Sequence, residues 1–170
     1  LMPIFSRIEP DSIMVDGREW AQVDLFTNLT WEEINAVCPE GVCAGILKGF
    51  DLTGWTWASV DDANALFNYY IGSQELGPGP DSYTEGKFDS EWATDFYNDG
   101  MRATCGRQQW VYRITSGHVS EYPFTAGLID FLTDDGGEIH EDGIGDAIGT
   151  YDGGGVEDEP EDCTGGWFYR

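Results

Sequence analysis

Between Asp130 and Asp162 the chain carries 13 Asp or Glu, eight Gly and no Lys or Arg. That run limits the fold more than any other feature. It holds over half of a net charge of -24, which is set by 32 acidic against 8 basic residues in 170. It also contains Ile139, Ile144, Ile148, Tyr151 and Val156, and aromatic sequence resumes after Cys163. The run therefore reads as an acidic, Gly-rich loop region anchored at both ends, not as a frayed tail. So acidic a chain cannot hold nucleic acid in a basic groove. An anionic membrane surface is disfavoured for the same reason. No stretch approaches the ~18–20 consecutive apolar residues of a membrane span. Hydrophobic content of 41%, with 14% aromatics, is enough for a packed core and excludes wholesale disorder. The length fits one domain. We expect residues 13–170 to form it, preceded by an extended segment over residues 1–12.

Cys38, Cys43, Cys105 and Cys163 are even in number, and with two histidines and no CxxC pair they favour disulfides over zinc. Three pairings are possible. The loop Cys38-Pro39-Glu40-Gly41-Val42-Cys43 suits a local bridge, which would leave Cys105 and Cys163 to close a long loop worth about 4 kcal/mol in the chain-entropy model. Disulfides point to an oxidising compartment. A chain that begins at Leu1 and not at Met is what a processed, exported protein would look like. Leu1, Met2, Ile4, Phe5 and Ile8 make that end strongly apolar. Free ends are usually poorly ordered, so such a terminus is expected to be held by its own core or by a neighbouring copy.

Along the chain, Ile13-Met14-Val15 and Trp20–Phe26 flank Asp16-Gly17, a strong hairpin signal. Thr30-Trp31-Glu32-Glu33 has the form of a capping box, and Trp31, Ile34, Val37 and Cys38 then line one face of a short helix that Pro39 stops. Asn28-Leu29-Thr30 is also a glycosylation sequon, but Thr30 is better explained as the cap. Ser59-Val60-Asp61-Asp62 opens a second helix in the same way. Val60, Ala63, Leu66, Phe67, Tyr70 and Ile71 form its inner face, and Gly72 closes it. A third helix is expected from Ser90 to Asn98, with Trp92 and Phe96 inward. Gln74–Gly86 reads as a loop. Strands are expected at Gln109–Thr115, Val119–Phe124, Leu128–Leu132 and Trp167–Arg170. The fold class is α+β: one disulfide-stapled domain with two or three short helices in the N-terminal half and one antiparallel sheet.

Three constellations are candidates for chemistry. Asp134, Asp135, Glu138, Asp142 and Asp146 offer hard oxygen ligands on Gly-permitted turns, as calcium uses. Neither an EF-hand loop nor a Gly/Asp nonapeptide is present, and a solvated acidic face explains the same residues. Among seven tryptophans, Trp20, Trp31, Trp57, Trp92 and Trp167 read as core, whereas Trp55 and Trp110 are the candidates for surface contact or sugar stacking. Enzyme signatures are missing: no G-x-S-x-G elbow, P-loop, Rossmann glycine run or H-E-x-x-H occurs. His118 and His140 have no local nucleophile to serve. Carboxylates are too abundant for one acid/base pair to be singled out.

Leu29-Thr30-Trp31-Glu32-Glu33-Ile34-Asn35-Ala36-Val37-Cys38, followed by Trp57-Ala58-Ser59-Val60-Asp61-Asp62-Ala63-Asn64-Ala65-Leu66-Phe67, resembles the order of helices in C-type-lectin-like domains. With the terminal Gly166-Trp167-Phe168-Tyr169-Arg170, it is closer to a family of secreted bacterial domains of unassigned activity that often precede a PEP-CTERM sorting tail. The tripeptides with which true C-type lectins hold sugar and calcium (E-P-N or Q-P-D with W-N-D) are absent, so no ligand residues carry over. The resemblance implies an exported protein of the bacterial surface or matrix. The leading expectation is a non-enzymatic extracellular building block that associates with copies of itself through Ile4-Phe5-Ser6-Arg7-Ile8, added as a strand to a neighbour's sheet. The alternative is a monomeric adhesin or lectin-like module that binds surface glycans, with calcium as its only candidate cofactor.

Overall fold

The computed structural model describes residues 8–26, 29, 31–79, 81–85, 90–99, 110–114, 128–132, 147–149 and 166–170, with backbone alone for 110–149. The hairpin forms as the Asp16-Gly17 dipeptide demands. Strands β1 (Ser12–Val15) and β2 (Arg18–Ala21) pair with Ile13 opposite Trp20 and Val15 opposite Arg18. Asp16 and Gly17 take φ of 50° and 81°, the left-handed pair of a tight hairpin turn. The second strand was expected to run to Phe26, but it ends at Ala21. Val23–Phe26 curls into a 3-10 turn that buries both Val23 and Phe26. Val23 joins the core on the side of α2, and Phe26 the core on the other face.

Helix α1 (Trp31–Val37) ends before Pro39, and the Cys38–Cys43 disulfide forms across the next turn. Thr30, the expected cap of α1, lies outside the described residues, as do Cys105 and Cys163. A two-stranded hairpin, β3 (Ile46–Leu47) and β4 (Phe50–Asp51), leads to β5 (Thr56–Trp57). Helix α2 (Val60–Ile71) has the full reciprocal cap. Asp62 N donates to Ser59 Oγ and Ser59 N donates to the Asp62 carboxylate, both at 3.1 Å, and Gly72 closes the helix at φ 86°. Helix α3 (Glu91–Asn98) buries Trp92 and Phe96 as its spacing requires.

One antiparallel sheet was expected; the chain makes two of four strands and a separate hairpin. The first sheet has the order β1-β2-β10-β5, with β10 (Phe168–Tyr169) from the far end of the sequence inserted between β2 and β5. The second has the order β6-β9-β8-β7, from β6 (Ser82–Thr84), β7 (Trp110–Ile114), β8 (Leu128–Leu132) and β9 (Ala147–Gly149). Two loop assignments need correction here. The Gln74–Gly86 loop contains β6, and the acidic run contains β9, an interior strand. Ala147-Ile148-Gly149 is uncharged and pairs on both edges, with β6 on one side and β8 on the other. Val119–Phe124 lies outside the described residues.

The first sheet divides the core in two. Side chains alternate across a strand, so Trp20 and Trp167 join Val15, Ala63, Leu66, Phe67, Trp92 and Phe96 on the side of α2 and α3. Their neighbours Ala21 and Phe168 join Phe26, Ile34, Cys38, Cys43, Leu52, Trp55 and Trp57 on the other. The first side is an edge-to-face aromatic stack: Phe67 lies 5.5 Å from Trp167, Tyr70 4.8 Å from Phe96, and Trp20 6.2 Å from Trp167.

Candidate functional site

Where the hairpin meets α2, the first core does not close. Val15, Asp16, Arg18, Trp20, Asp62, Ala65, Leu66 and Tyr69 line a cavity of about 240 Å³. The hairpin turn brings Asp16 and Arg18 to it, and the helix cap fixes Asp62 in its lining. Because Asp62, Leu66 and Tyr69 follow at i, i+4 and i+7, they share one face of α2.

Asp62 is the hub. Beyond the Ser59 N–H, its carboxylate accepts from Arg18 Nη1 at 3.1 Å and from the Tyr169 hydroxyl at 3.1 Å. Arg18 in turn lies 4.2 Å from the centre of the Tyr169 ring. Burial is the largest single influence on Asp62 and opposes its charge. The donors from Ser59, Arg18 and Tyr169 together outweigh it and hold the carboxyl below its usual range. Tyr169 is pushed up, first by burial and then by the Asp62 charge. Asp62 is therefore an anion and Tyr169 a neutral donor at neutral pH. Asp16, Asp62 and Arg18 leave the cavity with one formal negative charge in excess. Tyr69, 54% exposed, stands at its edge.

Ala65 is exposed and also borders a second cavity of about 300 Å³, lined with Asp61, Asn64, Asn68, Gln74, Leu76, Gly77 and Pro78. Here side chains fasten the loop after α2 to the helix. Asn68 donates to Leu76 O and accepts from Leu76 N, Asn64 donates to Gly79 O, and Asp61 accepts from Gly79 N.

On the opposite side of the sheet a second arginine does the reverse and closes the core. Arg170 donates to Glu19 at 2.8 Å and to Glu9 at 2.6 Å, and its guanidinium lies 4.5 Å from the centre of the Trp55 ring. These contacts hold its proton far more tightly than in water.

Trp55 must accordingly be reassigned. Expected at the surface, it is 1% exposed, packed in the second core and covered by Arg170, so no ring face is open for a sugar. Its polar and glycine neighbours Thr53, Gly54 and Thr56 suggested a loop; the burial comes from the second core, together with Arg170, 115 positions away in sequence. Trp110 begins β7 opposite Leu132, and its side chain lies outside the described residues. Asp134, Asp135, Glu138, Asp142 and Asp146 lie outside them too, as do Leu1, Met2, Ile4 and Phe5. Among the described residues no group of three or more His, Cys, Asp or Glu converges to hold a metal. Ile8 is 60% exposed, while its carbonyl accepts from Asp51 N at 2.9 Å and ties the base of the N-terminal segment to β4.

Sequence reasoning saw Asp62 only as a helix cap and missed Arg18, Tyr169 and Arg170. Arg18 and Tyr169 lie 44 and 107 positions from Asp62. The available signal was the pairing of cap and turn: a DG turn followed by Arg, and a carboxylate at the third helical position. Comparison with known proteins finds no matching family model, no similar curated protein and no similar solved structure.

Proposed function

We propose that the chain is a non-enzymatic extracellular structural or interaction protein that self-associates by strand addition. Ile4–Ile8 of one copy, anchored at Ile8, adds to the outer edge of β1 in the next. The observation that carries this reading is β1 itself. No described strand pairs with its outer edge, and Ser-Ile-Met-Val contains neither charge nor proline, with Met14 65% exposed. Natural edges are usually blocked with Lys, Pro or a bulge because unpaired N–H and C=O groups recruit further strands. An edge that no described strand occupies and the largely apolar Ile4–Ile8 segment in one chain are complementary. The resemblance to exported bacterial domains and the Cys38–Cys43 disulfide support an extracellular setting. Among the described residues no helix is long and apolar enough to cross a membrane.

Head-to-tail addition of this kind propagates into a filament unless the rotation closes a ring. At -24 per copy the subunits repel, so salt or calcium promotes assembly. Light scattering and electron microscopy of the unreduced protein test the reading. Regular assemblies that disappear on deletion of residues 1–7, and also with Met14→Lys, support it. Monodisperse monomer at every salt concentration refutes it.

A second reading rests on the cavity at Asp62: a monomeric adhesin or lectin-like module, of C-type-lectin-like fold, with calcium held by Asp134, Asp135, Glu138, Asp142 and Asp146. Chelator-sensitive binding of the monomer to a glycan array is its signature.

A further inference from the structure

We infer that the cavity at Asp62 is the socket for the Arg7 side chain of a second copy. The inference rests on the strand-addition reading above and assigns its specificity contact. Size comes first. At about 240 Å³ the cavity falls below the ~300–1,000 Å³ usual for small-molecule sites, yet it has room for several waters at ~30 Å³ each. It suits one long side chain better than a free metabolite.

Charge comes second. An anion gains little here, because Arg18 is already committed to Asp62 and to the Tyr169 ring, and Asp16 and Asp62 outnumber it. A cation is favoured by that excess and by the exposed ring of Tyr69, since guanidinium groups stack on aromatic faces. The planar fork of Arg, with its five donors, also fits the free lone pairs of two carboxylates better than a lysine ammonium does.

Position decides the source of that cation. Val15 and Asp16, at the end of β1, form one wall of the cavity, so a strand laid along the outer edge of β1 passes its mouth. Arg7 is the only Lys or Arg among the first 17 residues, and it lies within the Ile4–Ile8 segment. Placing Arg7 beside Val15 sets Ile4 beside Ser12 in a parallel pairing. Apolar Ile4 and Phe5 then cover the unpaired edge while the single charge enters the socket. In a chain with 32 acidic residues, one buried cation per interface also offsets part of the repulsion between copies.

Sedimentation velocity on the unreduced full-length chain, at fixed salt, tests the assignment with Arg7→Gln, Arg7→Lys, Asp16→Asn and Ala65→Trp. Asn tolerates the positive φ of position 16, so the hairpin survives that change. Ala65 is exposed, so Trp there fills the cavity from outside the core. Thermal melts confirm that each variant is folded. Arg7→Gln and Ala65→Trp should each weaken association about tenfold or more, Arg7→Lys less, and the combined Arg7→Gln/Ala65→Trp variant no further than either alone. If deletion of residues 1–7 abolishes assembly while folded Ala65→Trp and Asp16→Asn assemble like the parent, the socket is wrong and strand addition stands. A parent chain that never associates overturns both.

Discussion

The two faces of the first sheet are built from the same strands and end differently. On each, an arginine stacks on an aromatic ring and pairs with carboxylates: Arg18 with Tyr169 and Asp62, Arg170 with Trp55, Glu9 and Glu19. Arg170 lies over the Trp55 ring and covers its core. Arg18 stands at the margin of a cavity that α2 leaves open. The difference follows from what lies opposite. The second core is covered by short elements cross-linked at Cys38–Cys43, whereas the first meets a 12-residue helix that borders the gap with the small Ala65 and the exposed Tyr69. A closed face stabilises; an open one is available for binding. One alternating sequence serves both because adjacent residues, Trp20 and Ala21 or Trp167 and Phe168, face opposite ways.

The comparison can be broken most severely at β10, which feeds both cores. Trp167→Ala should cost about 3–5 kcal/mol, because it leaves an indole-sized void beside Phe67, Phe96 and Trp20. Phe168→Ala, on the other face, should cost a similar amount. Chemical denaturation that showed one of the two to be nearly neutral would mean the cores are not equally structural. Opening the Cys38–Cys43 bridge acts on the second face alone. For so short a loop the chain-entropy model gives about 2 kcal/mol, read as the shift in denaturation midpoint between oxidised protein and Cys38→Ser/Cys43→Ser.

Gly166→Ala sharpens the same contrast. A Cβ there would stand 2.6 Å from Phe168 Cε2, an atom of a fully buried ring, so we expect about 1–3 kcal/mol of strain on the second face. Smallest is the pair of arginines. Arg170→Ala should lower stability by about 0.5–1 kcal/mol, since its ion pairs are exposed and screened by salt, leaving the ring contact as the main loss. Asp62, the partner of Arg18, adds a pH signature. Asp62 titrates lower in the folded protein than unfolded, so its contribution is complete above the unfolded value of 3.8 and is lost as pH falls through the depressed folded value. Acid denaturation of the parent should therefore steepen below about pH 4, and Asp62→Asn should flatten it there.

Local elements were legible in the sequence because their signals are local. Asp16-Gly17, Ser59 with Asp62, Gly72, and the Trp92/Phe96 spacing each need only a few neighbouring residues, and the structure agrees at every one. What failed was long-range. The partition into two sheets depends on where β10 and β9 insert, and nothing near Phe168 or Ile148 encodes their partners. Trp55 was misread for the same reason, since its cover is a residue distant in sequence. The cavity was invisible as a site because its polar members come from a turn, a helix cap and the last strand.

The insertion of β10 between β2 and β5 has a consequence for biosynthesis. Every other described element precedes it, so the first sheet lacks an interior strand, and both cores lack an aromatic, until Trp167–Tyr169 has been made. Contacts spanning nearly the whole sequence fold late and slowly. A growing polypeptide of this design stays loosely organised until residues 167–169 have been made, and only then locks.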